Sequence, residues 1–184
     1  MRKVFWDDPY KITLVTKVKS VNNNKLLFAE TIAYSFAGGQ ESDKAWVNDL
    51  PILDSVRKGN LIYYILPEDH GLTPGKEVTM TIDWPRRQRL MRLHFCAEII
   101  LELVTQKLGL EKVGAHIAEH KARIDFKSDT TLAPILSELL QRFNTIIESN
   151  LSIHKDFSDI EQQRRFWKIE GTSTLRWNPC CNNW

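Results

Sequence analysis

The chain has 184 residues, 42% hydrophobic and 26% charged, with a formal net charge of +2. That is an ordinary globular composition, long enough for one large domain or two small ones with a genuine core. It excludes a membrane helix, since no stretch approaches the roughly 20 apolar residues a span needs, and so small a net charge neither demands nor forbids nucleic acid.

The opening, Met1-Arg2-Lys3-Val4-Phe5-Trp6-Asp7-Asp8-Pro9, reaches acidic residues at once and has no signal-peptide core. Lys11 to Val21 and Lys25 to Ala33 read as two strands of a hairpin joined by the turn signal Asn22-Asn23-Asn24. Further strands are expected over Pro51 to Val56, Asn60 to Leu66 and Glu77 to Asp83, separated by breaks such as Thr73-Pro74-Gly75-Lys76. Short strands with closely spaced turns predict a small barrel or curled sheet. The character changes at Trp84-Pro85. Arg86 to Leu108 holds strong helix formers without Gly or Pro, and Leu90, Leu93, Ala97, Ile100, Leu101, Val104 and Leu108 mark one buried face. Gly109 is a natural stop. Strands are expected over Lys112 to Ala118 and Lys121 to Phe126, then a second amphipathic helix from about Leu132 to Ser149, with Asp129 and Thr130 as capping candidates. Ile153 begins another strand, Ser158 to Trp167 a short helix, and Lys168 to Trp177 a last strand. The predicted class is α+β, with a small β-barrel-like domain over residues 1–84 and an α+β domain over 85–184.

Four groups of residues carry chemistry. His94 and Glu98 lie four apart on the long helix, where imidazole and carboxylate emerge a turn apart and can grip one divalent metal. A half-buried histidine beside a solvated glutamate has the same spacing. Cys180 and Cys181 supply thiolate, a strong zinc ligand, though unremarkable thiols in a tail look the same. Three cysteines in all, with Cys96, make no disulfide framework and point to the reducing cytoplasm. Gly38-Gly39-Gln40 can turn with positive φ and present backbone N–H groups to an oxyanion or a ribose; a plain hairpin loop is the other reading. Arg86, Arg87, Arg89 and Arg92 cluster at the helix start, suited to phosphate or simply to a solvated face. His116 and His120 are expected to be surface or core residues.

Read in order, these pieces resemble the free-standing alanyl-tRNA editing proteins and the related editing domain of alanyl-tRNA synthetase. The resemblance rests on Phe5-Trp6-Asp7-Asp8-Pro9-Tyr10, on the glycine-rich stretch Tyr34 to Asp43, on Ile82-Asp83-Trp84-Pro85-Arg86-Arg87 leading into Leu90 to His94, and on Lys121-Ala122-Arg123-Ile124-Asp125-Phe126. It covers nearly the whole chain. It implies an editing domain of the threonyl/alanyl-tRNA synthetase type over 85–184. It implies a deacylase, a carboxylic ester hydrolase acting in trans on tRNA(Ala) mischarged with serine or glycine. It also implies a Zn2+ site from a His-x-x-x-His helix motif and a Cys-x-x-x-His motif after a Pro-Cys turn.

Residue by residue, His94 fits the first ligand position, Glu98 replaces the second histidine, and Pro179-Cys180 fits the third. Trp184 stands where a fourth ligand is expected and cannot bind zinc, and Cys181-Asn182 replaces Gly-Gly. One account is an altered or shortened end with a weakened site, or a tRNA-binding scaffold that has lost metal. Another is a metal held by His94, Glu98 and one cysteine, with water completing the shell. The resemblance also implies that Thr31 faces the substrate side chain, that Gly38, Gly39 and Gln40 steady the terminal adenosine or the oxyanion, and that Asp125 is structural or orients a ligand. Arg86, Arg87, Arg89 and Lys121 are assigned to the tRNA backbone.

Overall fold

The computed structural model describes residues 1–159 and 164–169. A short strand, β1 (Arg2–Lys3), leads through a single helical turn, α1 (Val4–Asp7), into β2 (Thr13–Asn22), where Leu14, Thr16 and Val18 are buried between exposed neighbours. That alternation is what a strand with one face on a core requires. Asn23, at a φ of 52°, turns the chain into β3 (Lys25–Phe28), which pairs antiparallel with β2 as the sequence predicts. Lys19 is an extra residue in that ladder, between the pairs Val18–Phe28 and Ser20–Leu27. A bulge of this kind sharpens the local twist.

The strands β4 (Glu30–Thr31), β5 (Ala45–Val47), β6 (Leu50–Pro51), β7 (Asp54–Lys58), β8 (Leu61–Ile65) and β9 (Glu77–Ile82) follow. One antiparallel sheet takes the order β6-β5-β9-β2-β3-β8-β7. Its two edge strands are consecutive in the chain, separated by Ile52 and Leu53 alone. The Ile52 amide donates to the Ala45 carbonyl on β5 at 2.9 Å, and the Leu53 amide to the Ile65 carbonyl on β8 at 2.8 Å. In a flat sheet those two strands would lie roughly 19 Å apart, four strand spacings. Neighbouring amides can reach both only if the sheet curls until its edges approach. Leu26, Phe28, Ile62, Tyr64, Leu66 and Met80 fill the core that results. The expected single strand over 51–56 is therefore two, because the chain passes from one edge to the other at Ile52–Leu53. The short strands β1 and β5 and the turn α1 have no periodic signal long enough to read in advance.

The long helix α2 (Trp84–Leu108) starts where the sequence changes character. Asp83 caps it, its Oδ1 accepting the Arg86 N–H at 2.9 Å while its carbonyl accepts the Arg87 N–H at 3.0 Å. Pro85 sits in the first turn, where its missing N–H costs nothing. Gly109, at a φ of 65°, closes the other end by donating to the Thr105 carbonyl. The chain divides into two compact units after Met91, within this helix. No helix among the described residues is long and apolar enough to cross a membrane.

In the second unit β10 (Glu111–Ile117) and β11 (Ala122–Lys127) form an antiparallel hairpin. A 3-10 turn (Ala133–Ile135) precedes α3 (Leu136–Glu148), and β12 (Ile153–Asp159) pairs antiparallel with β13 (Arg164–Ile169). Ile99, Leu103, Val104 and Leu139 form the buried cluster, with Phe126 and Phe143 packed against it. Three expectations are corrected here. Leu108 is 42% exposed, while Ile99 and Leu103 are buried: α2 covers more than the single stripe the spacing suggested. The Ala133 N–H is met by the Thr131 hydroxyl rather than by Asp129 or Thr130, because a 3-10 turn delays α3. Within Ser158 to Trp167 the described residues are strand rather than helix, as suits Phe166 and Trp167. Most of the last expected strand lies outside the described residues.

Candidate functional site

The glycine-rich stretch is a hairpin of its own. Ala37 and Gln40 exchange backbone hydrogen bonds at 3.3 and 2.9 Å, with Gly38 at a φ of 58° and Gly39 at 84° between them. Two consecutive positive φ values are the signature of a type I′ turn, which only residues such as glycine adopt without strain. Side chains lock the hairpin below its tip. The Ser42 hydroxyl accepts the Phe36 N–H at 2.9 Å, and Asp43 Oδ2 accepts the Tyr34 N–H at 2.6 Å while the Asp43 N–H returns to the Tyr34 carbonyl. Gln40 is fully buried beneath the turn. The glycines thus shape a rigid projection, with Gly38 exposed at its end.

Arg87 holds that hairpin in place. Its Nε donates to Asp43 Oδ1 at 2.8 Å and its Nη2 to Asp43 Oδ2, a bidentate pair between side chains 3% and 0% exposed. The same guanidinium donates to the Ile32 carbonyl at 2.7 Å and to the Pro9 carbonyl at 3.0 Å. Four of its five N–H donors are thereby spent inside the protein. The sequence reading places Arg87 on the tRNA backbone; the structure makes it an internal clamp joining the opening segment, the exit of β4, the hairpin and the start of α2. Arg86 is 11% exposed, bonded to Glu41 at 2.7 Å and to the Ser42 carbonyl at 3.2 Å. Arg89 alone of the three faces solvent openly.

Thr31 lies on β4 and is 0% exposed. Its Oγ1 accepts the Ala33 N–H at 3.1 Å and lies 2.6 Å from the Tyr64 hydroxyl. That hydroxyl donates to the Ala33 carbonyl at 2.6 Å, which uses its one proton, so Thr31 is the donor to Tyr64. Burial pushes the Tyr64 phenol far above its usual range, opposed in part by the bond from Thr31, and keeps it protonated. Neither Tyr64 nor the role of Asp43 stood out in the sequence. Asp43 sits inside the quoted motif, whereas Tyr64 offers only an inward position on an alternating strand.

In the second unit, His94 is 5% exposed and its Nε2 lies 3.5 Å from Glu98 Oε1. Two ligands of one tetrahedral zinc, with bonds of about 2.0–2.2 Å, are about 3.3–3.5 Å apart. The separation of the pair matches that spacing, as it also matches a direct imidazole–carboxylate contact. Among the described residues no third His, Cys, Asp or Glu joins it; Cys180 lies outside them. Lys121 is exposed at the turn of the β10–β11 hairpin. Asp125 pairs with Arg123 at 3.2 Å and lies over Gly114, where a Cβ would come within 2.7 Å of its carboxylate.

Known proteins are similar to this sequence along most of its length. The alanyl-tRNA editing protein AlaX-M of Pyrococcus horikoshii is 27% identical over 184 residues, covering 97% of this chain and 82% of that protein. The alanine–tRNA ligase of Staphylothermus marinus is 30% identical over 173 residues, 90% of this chain and 19% of the ligase. That of Sulfurisphaera tokodaii is 32% identical over 131 residues, 67% of this chain and 14% of the ligase. The chain thus spans less than a fifth of the length of these ligases. No protein-family model matches it. Along nearly its whole length, the chain is similar to an alanyl-tRNA editing protein and to one segment of the alanine–tRNA ligases.

Proposed function

We propose that the chain edits tRNA(Ala), hydrolysing in trans the ester that links serine or glycine to the 3′-terminal ribose. The observation that carries this is the similarity to an alanyl-tRNA editing protein over 97% of the chain. An aminoacyl ester is already reactive, and the protein has mainly to hold it and deliver a water. His94 and Glu98, with Cys180, are the residues that would hold Zn2+. A zinc ion bound there supplies charge to polarise the ester carbonyl and acidify a water. The hairpin of Gly38, Gly39 and Gln40 would offer the backbone N–H groups of its two glycines to the terminal nucleotide or the oxyanion, with the Gln40 N–H closing the turn onto the Ala37 carbonyl. Thr31, whose hydroxyl meets the Ala33 N–H and the Tyr64 hydroxyl, is the residue that would hydrogen-bond the hydroxyl of a serine substrate and favour it over alanine.

A second reading is a tRNA-binding scaffold with weakened chemistry, favoured by Trp184 at the place of a fourth ligand. Deacylation of Ser-tRNA(Ala) and Ala-tRNA(Ala) by zinc-analysed protein separates the two. Zinc-dependent clearance of serine, abolished in His94→Ala, is the expected result. Tight tRNA binding without turnover in folded, zinc-loaded protein would favour the scaffold.

A further inference from the structure

The first unit carries a cavity of about 480 Å³ beside the glycine hairpin, with Phe36, Glu41, Lys44, Trp46, Leu53 and Arg86 on its walls. Phe36 and Leu53 are 56% and 60% exposed, an unusual place for large apolar side chains facing one concavity. Trp46 lies between the buried Ala45 and Val47 on β5, which turns its indole to the face of the sheet opposite the core. Lys44 is an exposed cation at the rim, and the Glu41 carboxylate is held by Arg86 at 2.7 Å.

We propose that this concavity binds an unpaired nucleotide of the substrate RNA, its base against Phe36 and Trp46 and its phosphate met by Lys44. Aromatic faces beside a cation are how single-stranded nucleic acid is held without sequence readout. The fixed carboxylate of Glu41 adds an acceptor for a ribose hydroxyl or a base amino group. An extended peptide is a poorer occupant. The adjoining edge strand β6 is two residues long and includes Pro51, which has no N–H to offer an added strand. This inference rests on the reading of the chain as a tRNA editor, whose substrate ends in unpaired nucleotides. It places an unpaired nucleotide of that substrate beside the glycine hairpin.

The test is fluorescence anisotropy with a labelled RNA hairpin carrying a 3′ CCA overhang, against the same hairpin made blunt. Phe36→Ala should weaken overhang binding on the order of 10-fold, leave the blunt hairpin unchanged, and be restored by Phe36→Trp. Lys44→Gln should weaken it less and flatten its salt dependence. Val113→Ala, an exposed apolar position in the β10–β11 hairpin, serves as the control. Equal affinity for overhang and blunt RNA, or an overhang affinity untouched by Phe36→Ala and Lys44→Gln, would overturn the site. Deacylation is scored separately. Turnover with KM unchanged in Phe36→Ala removes the site and leaves the editor standing, whereas Phe36-dependent overhang binding without any turnover does the reverse.

Discussion

At the scale of single residues, Arg87 shows how a side chain suited to phosphate can be committed to the fold. A guanidinium and a carboxylate this buried gain much of their attraction back only because the geometry is bidentate and two backbone carbonyls take further N–H groups. Removing either partner leaves the other charged and dry. Arg87→Lys keeps the charge but cannot supply the fork, and it should lose a large part of the roughly 3–5 kcal/mol expected for breaking a buried pair. Urea denaturation checks this, and a loss below about 1 kcal/mol would contradict the clamp. Thr31 and Tyr64 give a milder case. Thr31→Val preserves shape but strands the Ala33 N–H and removes a donor from Tyr64, a cost of about 1–3 kcal/mol. Because the two hydroxyls act in one chain, the double variant Thr31→Val with Tyr64→Phe should cost less than the sum of the singles.

The elements follow rules of different reach, and that decides which of them could be read from sequence. The cap of α2 is local: Asp83, Trp84 and Pro85 contain the whole signal for its start, and Gly109 the signal for its end. Asp83→Ala should therefore destabilise the protein by about 0.5–2 kcal/mol, whereas Asp83→Asn keeps an acceptor and should cost less; thermal melts of the two variants give the comparison. The β2–β3 hairpin was equally legible, through its asparagines and its alternation. The break at Ile52–Leu53 was not. Nothing in Pro51-Ile52-Leu53-Asp54 announces that its neighbours belong to opposite edges of a sheet, because that depends on where β5 and β8 lie. β13 was missed for a related reason. Residues 158–167 are rich in charge and lack alternation, so the strand preference of Phe166 and Trp167 is decided by the pairing with β12, most of which lies before that stretch.

For the whole molecule, sequence order identified the motifs and folding decided what each can touch. The four arginines that follow Trp84 look alike in a string of letters, but Arg87 is a clamp, Arg86 is bonded along the hairpin, and Arg89 and Arg92 are exposed. Of the four cations expected on tRNA, Arg89 in the first unit and Lys121 in the second keep the exposure that a phosphate contact requires. Neutralising a phosphate releases counterions, and each such contact contributes roughly 0.7–0.9 to the slope of log affinity against log salt. Arg89→Gln and Lys121→Gln should each lower that slope by about this amount and weaken tRNA binding at low salt. Arg86→Gln should leave the slope nearly unchanged, since its charge is already answered by Glu41 at 2.7 Å. Filter binding across a salt series measures all three. A slope lowered by Arg86→Gln but indifferent to Arg89 and Lys121 would mean that the RNA displaces Glu41 from Arg86 and takes its phosphate contact there rather than from Arg89 and Lys121.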